Sequence, residues 1–413
     1  MIRRPGWLGA ALLLLVCSGC GSEPDATSGP APADPGPADR SEQLRAALLN
    51  AEPGDRIEIP EGTLQFVRGL SLSVDGVTLQ GAGPDRSVLS FAGQRSGAEG
   101  LLVTADDIRL EGFAIEDASG DALKINECRN LVIRSVRTEW TGGPSPDNGA
   151  YGIYPVQCTG VRIEDSVAIG ASDAGIYVGQ SSDILVRGNR VEYNVAGIEI
   201  ENSVRADVHD NDVRHNTGGI LVFDLPDLPV QGGRETRVFG NRLISNNTAN
   251  FAPPGNIVGT VPAGTGIMVN ANDEIEIFDN DIVDHASAAI LVVSYLITGR
   301  PVEDPDYDPY PERIHVHGNR IERSGHDPDS EPLIALHRQL QGEDLPGLIW
   351  DGFVAPDADA PVLCVHDNPG LTTVALDAPN DFADVRMAPA EFDCTLPRLA
   401  GVDPGAIPGA SGP

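Results

Sequence analysis

The chain has 413 residues, with 28 basic against 61 acidic side chains and a net charge of -33 at pH 7. That balance lacks the basic footprint a nucleic-acid surface requires, so no nucleic-acid partner is expected. Hydrophobic residues at 41% exclude wholesale disorder, while 47 glycines and 33 prolines point to a chain rich in turns.

The N-terminus reads as an address. Arg3 and Arg4 precede an apolar run from Trp7 to Val16, too short to span a bilayer as a stable helix. The run ends in Leu15-Val16-Cys17-Ser18-Gly19-Cys20, which resembles a bacterial lipobox with Cys20 as the lipidated residue. Residues 1–19 are thus expected to be a signal peptide, and residues 20–40 a lipidated cysteine followed by a disordered tether of Pro, Ala, Gly, Ser and acidic residues. Gly21 after the cysteine suggests outer-membrane sorting, with the lipid as the sole membrane contact. A short capping helix is predicted over Ser41–Leu49, with Leu44, Ala47 and Leu48 at helical spacing.

The middle of the chain is a repeat. Tyr151-Gly152-Ile153-Tyr154, Ala174-Gly175-Ile176-Tyr177, Ala196-Gly197-Ile198-Glu199 and Gly218-Gly219-Ile220-Leu221 recur with glycine steps of 23, 22 and 22. Thr265-Gly266-Ile267-Met268 and Ala288-Ala289-Ile290-Leu291 follow after an insertion. A second signature places Asn189, Asn211, Asn241, Asn280 and Asn319 at one point of each unit. One unit of short strands cannot cover its own apolar face, but stacked units bury their isoleucines in one column. The asparagines would bridge from coil to coil at a bend. The pattern resembles the right-handed parallel β-helix, an all-β solenoid of about 22-residue coils. It is assigned to residues 41–330 with its N-terminal helix, and 331–413 to a C-terminal cap. Cys128 and Cys158 fall at matching places on adjacent coils, so a bridge is expected there and a second at Cys364–Cys394.

Period-2 alternation turns two columns outward on the first strand of each coil. One runs Lys124, Tyr154, Tyr177, Glu199, Leu221, Met268, Leu291; the other runs Asn126, Val156, Gly179, Glu201, Phe223, Asn270, Val293. Insertions 141–149 and 247–264 enter at one corner, and 225–235 and 295–312 leave at the other, which predicts a groove framed by loops. Aromatic, amide and acidic side chains in register suit a sugar chain. Tyr154, Tyr177, Phe223, Asn126 and Asn270 are the expected substrate contacts. Glu199 and Glu201, roughly 6.5–7 Å apart along one strand, are candidates for acid–base work on a glycosidic bond. They are equally candidates for Ca²⁺, the one cofactor the residues suggest. Lys124, near Tyr154 and Tyr177, is a candidate for proton transfer in elimination or epimerisation at a uronate, and Tyr177 is counted with it as a catalytic candidate. His315 and His317 alternate outward with Glu276 one coil away, a weak metal signature, and Asp304, Asp306 and Asp308 resemble part of a calcium loop.

The runs AGIYVGQS (174–181), NVAGIEIENS (194–203), NTGGILVFDLP (216–226) and NNTANFAPPGN (246–256) resemble a bacterial family of tandem β-helix lipoproteins whose role is not established. Members are often encoded beside a di-haem c-type cytochrome, so the resemblance implies such a partner in the cell envelope. A remoter resemblance is to sugar-hydrolase and mannuronan-epimerase β-helices. The Asp-Pro-His-Asp of the epimerases is replaced here by Tyr154-Pro155-Val156-Gln157, so no catalytic residue carries over. The expectation is an envelope β-helix that binds, and in one reading modifies, a polysaccharide. If it is an enzyme, it is a lyase, epimerase or glycoside hydrolase. The alternative is a non-enzymatic scaffold serving a cytochrome or metal-site assembly, with Phe223, Leu225, Leu228 and loop 247–264 as its interface.

Overall fold

A computed structural model describes residues 36–356, 358, 361–403 and 405; the expected signal peptide, Cys20 and most of the tether lie outside the described residues. Helix α1 spans Pro37–Leu49, opening four residues earlier than the sequence suggests. Pro37 suits the first turn, where a missing N–H costs nothing. Leu44 and Leu48 are buried against the first coil, and Arg40 Nη1 donates to the Glu61 carbonyl at 3.0 Å.

Behind this cap the chain winds into a parallel β-solenoid of three sheets. Sheet A runs through 11 strands from Arg56–Glu58 to Leu363–His366, sheet B through 10 from Gly62–Gln65 to Arg320–Ser324, and sheet C through 12 beginning at Arg68–Leu72. Strands pair in parallel with their counterparts one coil away, so Ile153, Ile176, Ile198, Ile220, Ile267 and Ile290 stack in direct register. All six are fully buried, as the repeat requires. The glycine before all but the last of these isoleucines has a steric cause: a Cβ on Gly219 would lie 2.4 Å from the Gly266 carbonyl oxygen of the next coil.

The bend between sheets A and B carries the asparagine ladder. Each side-chain amide donates to the next Oδ1 from Asn189 through Asn211, Asn241, Asn280 and Asn319 to Asn368, at 2.9–3.0 Å. A second ladder, Asn194–Asn216–Asn246, ends on His285 Nε2 at 3.1 Å. Both satisfy buried turn groups that no strand partner reaches.

Both expected disulfides form, with Cα separations of 4.5 Å for Cys128–Cys158 and 4.9 Å for Cys364–Cys394. Each closes a loop of 30 residues, for which chain entropy gives about 3–4 kcal/mol. Replacing Cys128 and Cys158 together by alanine is therefore expected to lower unfolding free energy by ~2–4 kcal/mol in denaturant titration. An unchanged midpoint would mean that the stacked coils already restrict that loop when unfolded.

The segment after residue 330 is more than a cap. Helix α2 (Glu331–Gln339) is inserted, and then Leu348–Trp350, Leu363–His366 and Thr373–Ala375 continue sheets C and A. The repeat loses its sequence signature there while the coil geometry persists, because sheet pairing needs backbone register rather than particular side chains. Beyond Cys394 the chain returns as a strap along sheet A: the Leu399 and Val402 amides donate to Glu276 and Asp207, each at 3.1 Å.

Candidate functional site

The two outward columns of sheet C form in the expected register. The expected open groove does not. Tyr177 is 4% exposed, Phe223 1% and Asn270 2%, so none of these three expected sugar contacts is presented to solvent. Leu221, Met268 and Leu291 pack with Val258 and Val261 of the 247–264 insertion and with Leu333 and Leu336 of α2. On the other corner Tyr295 and Tyr307 pack with Ala271 and Leu225, and the Tyr307 hydroxyl donates to the Asp224 carbonyl at 2.6 Å. The insertions carry their own apolar side chains, and removing these from water lays the loops on the sheet rather than beside it.

The N-terminal stretch of the same face stays accessible. Tyr151, Tyr154, Lys124 and Asn126 are half-buried. The rings of Tyr151, Tyr154 and Tyr177 gather with centroids 4.3–5.0 Å apart. Lys124 Nζ lies 4.8 Å from the Tyr154 ring centre and 3.9 Å from Asp121 Oδ2, so this lysine is held between a ring face and a carboxylate.

Behind the tyrosines lies a knot of acids. The Tyr177 hydroxyl donates to Glu201 Oε1 at 2.6 Å, and Asn256 Nδ2 of the covering loop donates to Asp173 Oδ2 at 3.2 Å. Glu199 is fully buried, and neither of its carboxylate oxygens has a partner. Burial without a cation favours the neutral acid. It pushes Asp173 and Glu201 up to about 7, with neighbouring acids adding to the rise at each, and Glu199 well above the carboxylate range. Burial also raises Asp121 to about 6, against the pull of Lys124, and Tyr154 to about 12. Near neutral pH this cluster therefore both holds protons and can release them.

Of the sequence candidates, the fold joins Lys124, Tyr154, Tyr177, Glu199 and Glu201 but buries the last three, leaves Asn126 at the accessible edge, and covers Phe223 and Asn270. Sequence reasoning missed Asp121, Tyr151, Asp173 and Asn256. Asp173 stands directly before the repeated Ala-Gly-Ile strand, at a turn where an acid reads as ordinary solvation. Asp173 joins Glu199 and Glu201, but among the described residues the three carboxylates do not bring one oxygen each within 4.8 Å of one another, as a shared Ca²⁺ would require. Among the described residues, the one group of three or more ligand atoms lying within 4.8 Å of one another is Glu276, His315 and His317. Asp304 is engaged with Gln231 at 2.6 Å and belongs to no such group.

Residues 99–296 match the model of the right handed beta helix region family. The solenoid is a right-handed parallel β-helix. No curated protein sequence gives a significant match. Among solved structures the β-helix is similar to the A-module of a mannuronan C-5 epimerase from Azotobacter vinelandii, at 16% identity and TM-score 0.46, over 80% of this chain and 91% of that one. It is similar to an alginate lyase from Paenibacillus sp. str. FPU-7 at 15% identity and TM-score 0.40, over 79% and 92% of the two chains. A third similarity is to the catalytic unit of an alpha-1,3-glucanase from Streptomyces thermodiastaticus strain HF3-3, at 18% identity and TM-score 0.44, over 79% of this chain and 50% of that one.

Proposed function

We propose that this β-helix binds a neutral polysaccharide on the N-terminal half of sheet C and acts on it by proton transfer. The observation that carries the reading is the tyrosine platform of Tyr151 and Tyr154, flanked by Asp121, Lys124 and Asn126 and backed by acids with raised proton affinity. Ring faces stack on the apolar faces of sugars, and the flanking polar groups engage hydroxyls. A net charge of -33 disfavours a polyanionic chain, which selects a neutral glycan. Glu201, 7% exposed and hydrogen-bonded to Tyr177, exchanges protons with the sugar at its accessible edge, because its proton affinity is matched to neutral pH. Lys124 and Asp121 orient the sugar. Buried Glu199 sets the field around Glu201 and does not touch substrate. Cys20 would tether the β-helix to a membrane in the bacterial envelope, at the outer membrane in our reading.

The test is thermal stability against a panel of neutral polysaccharides, followed by product analysis. A ligand at a hundred times its Kd adds about 2.7 kcal/mol, visible as a rise in melting temperature. Tyr154→Ala should weaken binding about tenfold, the loss expected of one stacking ring. Glu201→Gln should keep binding and abolish product formation. A flat response to every glycan, or turnover that survives Glu201→Gln, overturns the reading.

A further inference from the structure

The outward face of sheet A carries a second constellation, on the opposite run of each coil. His209, Phe239, Phe278, His317 and His366 stack as a ladder of five parallel rings, with centroids 4.6–5.2 Å apart and planes within 10°. The adjacent column places His315 beside His317 and, one coil away, Glu276. At the C-terminal end of the ladder the nitrogens converge. His317 Nε2 lies 3.0 Å from Glu276 Oε1, and His315 Nε2 lies 2.9 Å from His366 Nε2. His366 Nδ1 is 3.0 Å from Asp367 Oδ2, which turns Nε2 toward the cluster as its acceptor nitrogen. A carboxylate behind an imidazole is the usual support of a metal-binding histidine. His315 is 5% exposed, and its Nδ1 has no partner.

A side chain far away in sequence already treats this place as a cation site. Arg398 of the C-terminal strap lies with Nη1 3.0 Å from His317 Nε2 and Nε 3.1 Å from Glu276 Oε1, its guanidinium 4.5 Å from the Phe278 ring centre. Two donors therefore compete for Glu276 and for the same imidazole nitrogen that a metal would use.

We infer that Glu276, His315 and His317, with His366 closing in from beside His315 as the fourth ligand, form a site for a divalent transition-metal ion of the zinc class, and that Arg398 is the resident cation the metal displaces. Three imidazoles and one carboxylate suit Zn²⁺ and its neighbours and are a poor match for Ca²⁺ or Mg²⁺, which take oxygen ligands. Loss of the Arg398 contacts loosens the strap, because Leu399 is held on the same carboxylate. Metal occupancy is thus coupled to the exposure of the sheet A ladder beneath residues 396–402. This site lies apart from the tyrosine platform, so the two readings stand or fall separately.

The experiment is calorimetric titration of the full, untagged chain with Zn²⁺, and with Ca²⁺ and Mg²⁺ as controls, together with hydrogen exchange. One Zn²⁺ should bind, with neither control ion competing. Replacing His315 and His366 by glutamine should weaken binding by about 100-fold. Arg398→Ala, which leaves every ligand in place, should tighten it by about tenfold or more, one ion pair's worth of competition removed. Zn²⁺ should raise exchange across residues 396–402. The inference fails if Zn²⁺ does not bind, if binding survives the double histidine replacement, or if Arg398→Ala leaves the affinity unchanged.

Discussion

Asn241→Ala is expected to destabilise the β-helix by about 3–5 kcal/mol, among the largest effects of a single replacement outside the apolar core. Asn241 Oδ1 accepts from the Asn211 backbone N–H at 3.1 Å and from its side-chain amide at 2.9 Å. Its own amide donates to the Val208 carbonyl at 2.8 Å and to Asn280 Oδ1 at 3.0 Å. Alanine removes the partner of the Asn211 backbone N–H, of one hydrogen of its side-chain amide and of the Val208 carbonyl, the other amide hydrogen keeping the Val186 carbonyl at 3.0 Å, and each buried group so orphaned costs about 1–3 kcal/mol. Asn368, the half-buried last rung, should cost markedly less as Asn368→Ala, since water reaches it. Denaturant titration measures both, and hydrogen exchange at residues 189–280 locates the opening. A loss below about 1 kcal/mol for Asn241→Ala would mean that water takes the place of the missing amide.

Stability should fall as pH rises from about 5 to 8. The sign follows from the buried acids. Asp173, Glu201 and Asp351 are raised to about 7 and Asp273 to about 8, all chiefly by burial. Between their ordinary values and these, the folded chain holds protons that the unfolded chain has released, so unfolding becomes more favourable with each rise in pH. Each raised unit is worth about 1.4 kcal/mol at most, so the summed loss reaches several kcal/mol. His285 and His315 act in the opposite sense on the acid side. Burial lowers them to about 3 and about 4, so their stabilising neutrality is lost as pH falls below the ordinary histidine range. Four raised acids outweigh these two histidines throughout the histidine range, so the decline begins early and the optimum is expected below about pH 5. Glu201→Gln should stabilise the protein by roughly 1–3 kcal/mol at pH 8, do little at pH 5, and flatten the profile between. Melting temperatures across this range decide the matter; a profile that is level or rises toward pH 8 would contradict the assignment of neutral acids behind the tyrosines.

The repeat made the architecture legible. An isoleucine every 22 or 23 residues outside the insertions, with an asparagine recurring between them, permits one kind of stacking, and alternation then tells which side chains face out. The Cys128–Cys158 pair follows from the same register, whereas Cys364–Cys394 follows only from the two cysteines left in the C-terminal segment. The second ladder of Asn194, Asn216 and Asn246 was legible in principle, since it recurs at the same period, but its residues sit among variable turn sequences.

What covers the outward faces was not legible, and this decides the chemistry. Alternation states that Phe223 and Glu199 leave the core; it does not state whether a loop lies on them. That depends on contacts such as Asn256 with Asp173, 83 residues apart, and Val402 with Asp207, 195 apart. Local pattern carries no information about such pairs, because each partner reads alone as a solvated polar residue or a loop. The burial that raises the acids of sheet C, and the strap that brings Arg398 to the histidines of sheet A, exist only once the insertions and the tail have folded back on the finished solenoid. Periodicity is a nearest-neighbour property that one chain pass specifies. The covering of its faces is a long-range packing outcome, set by which apolar and charged surfaces the loops can remove from water together.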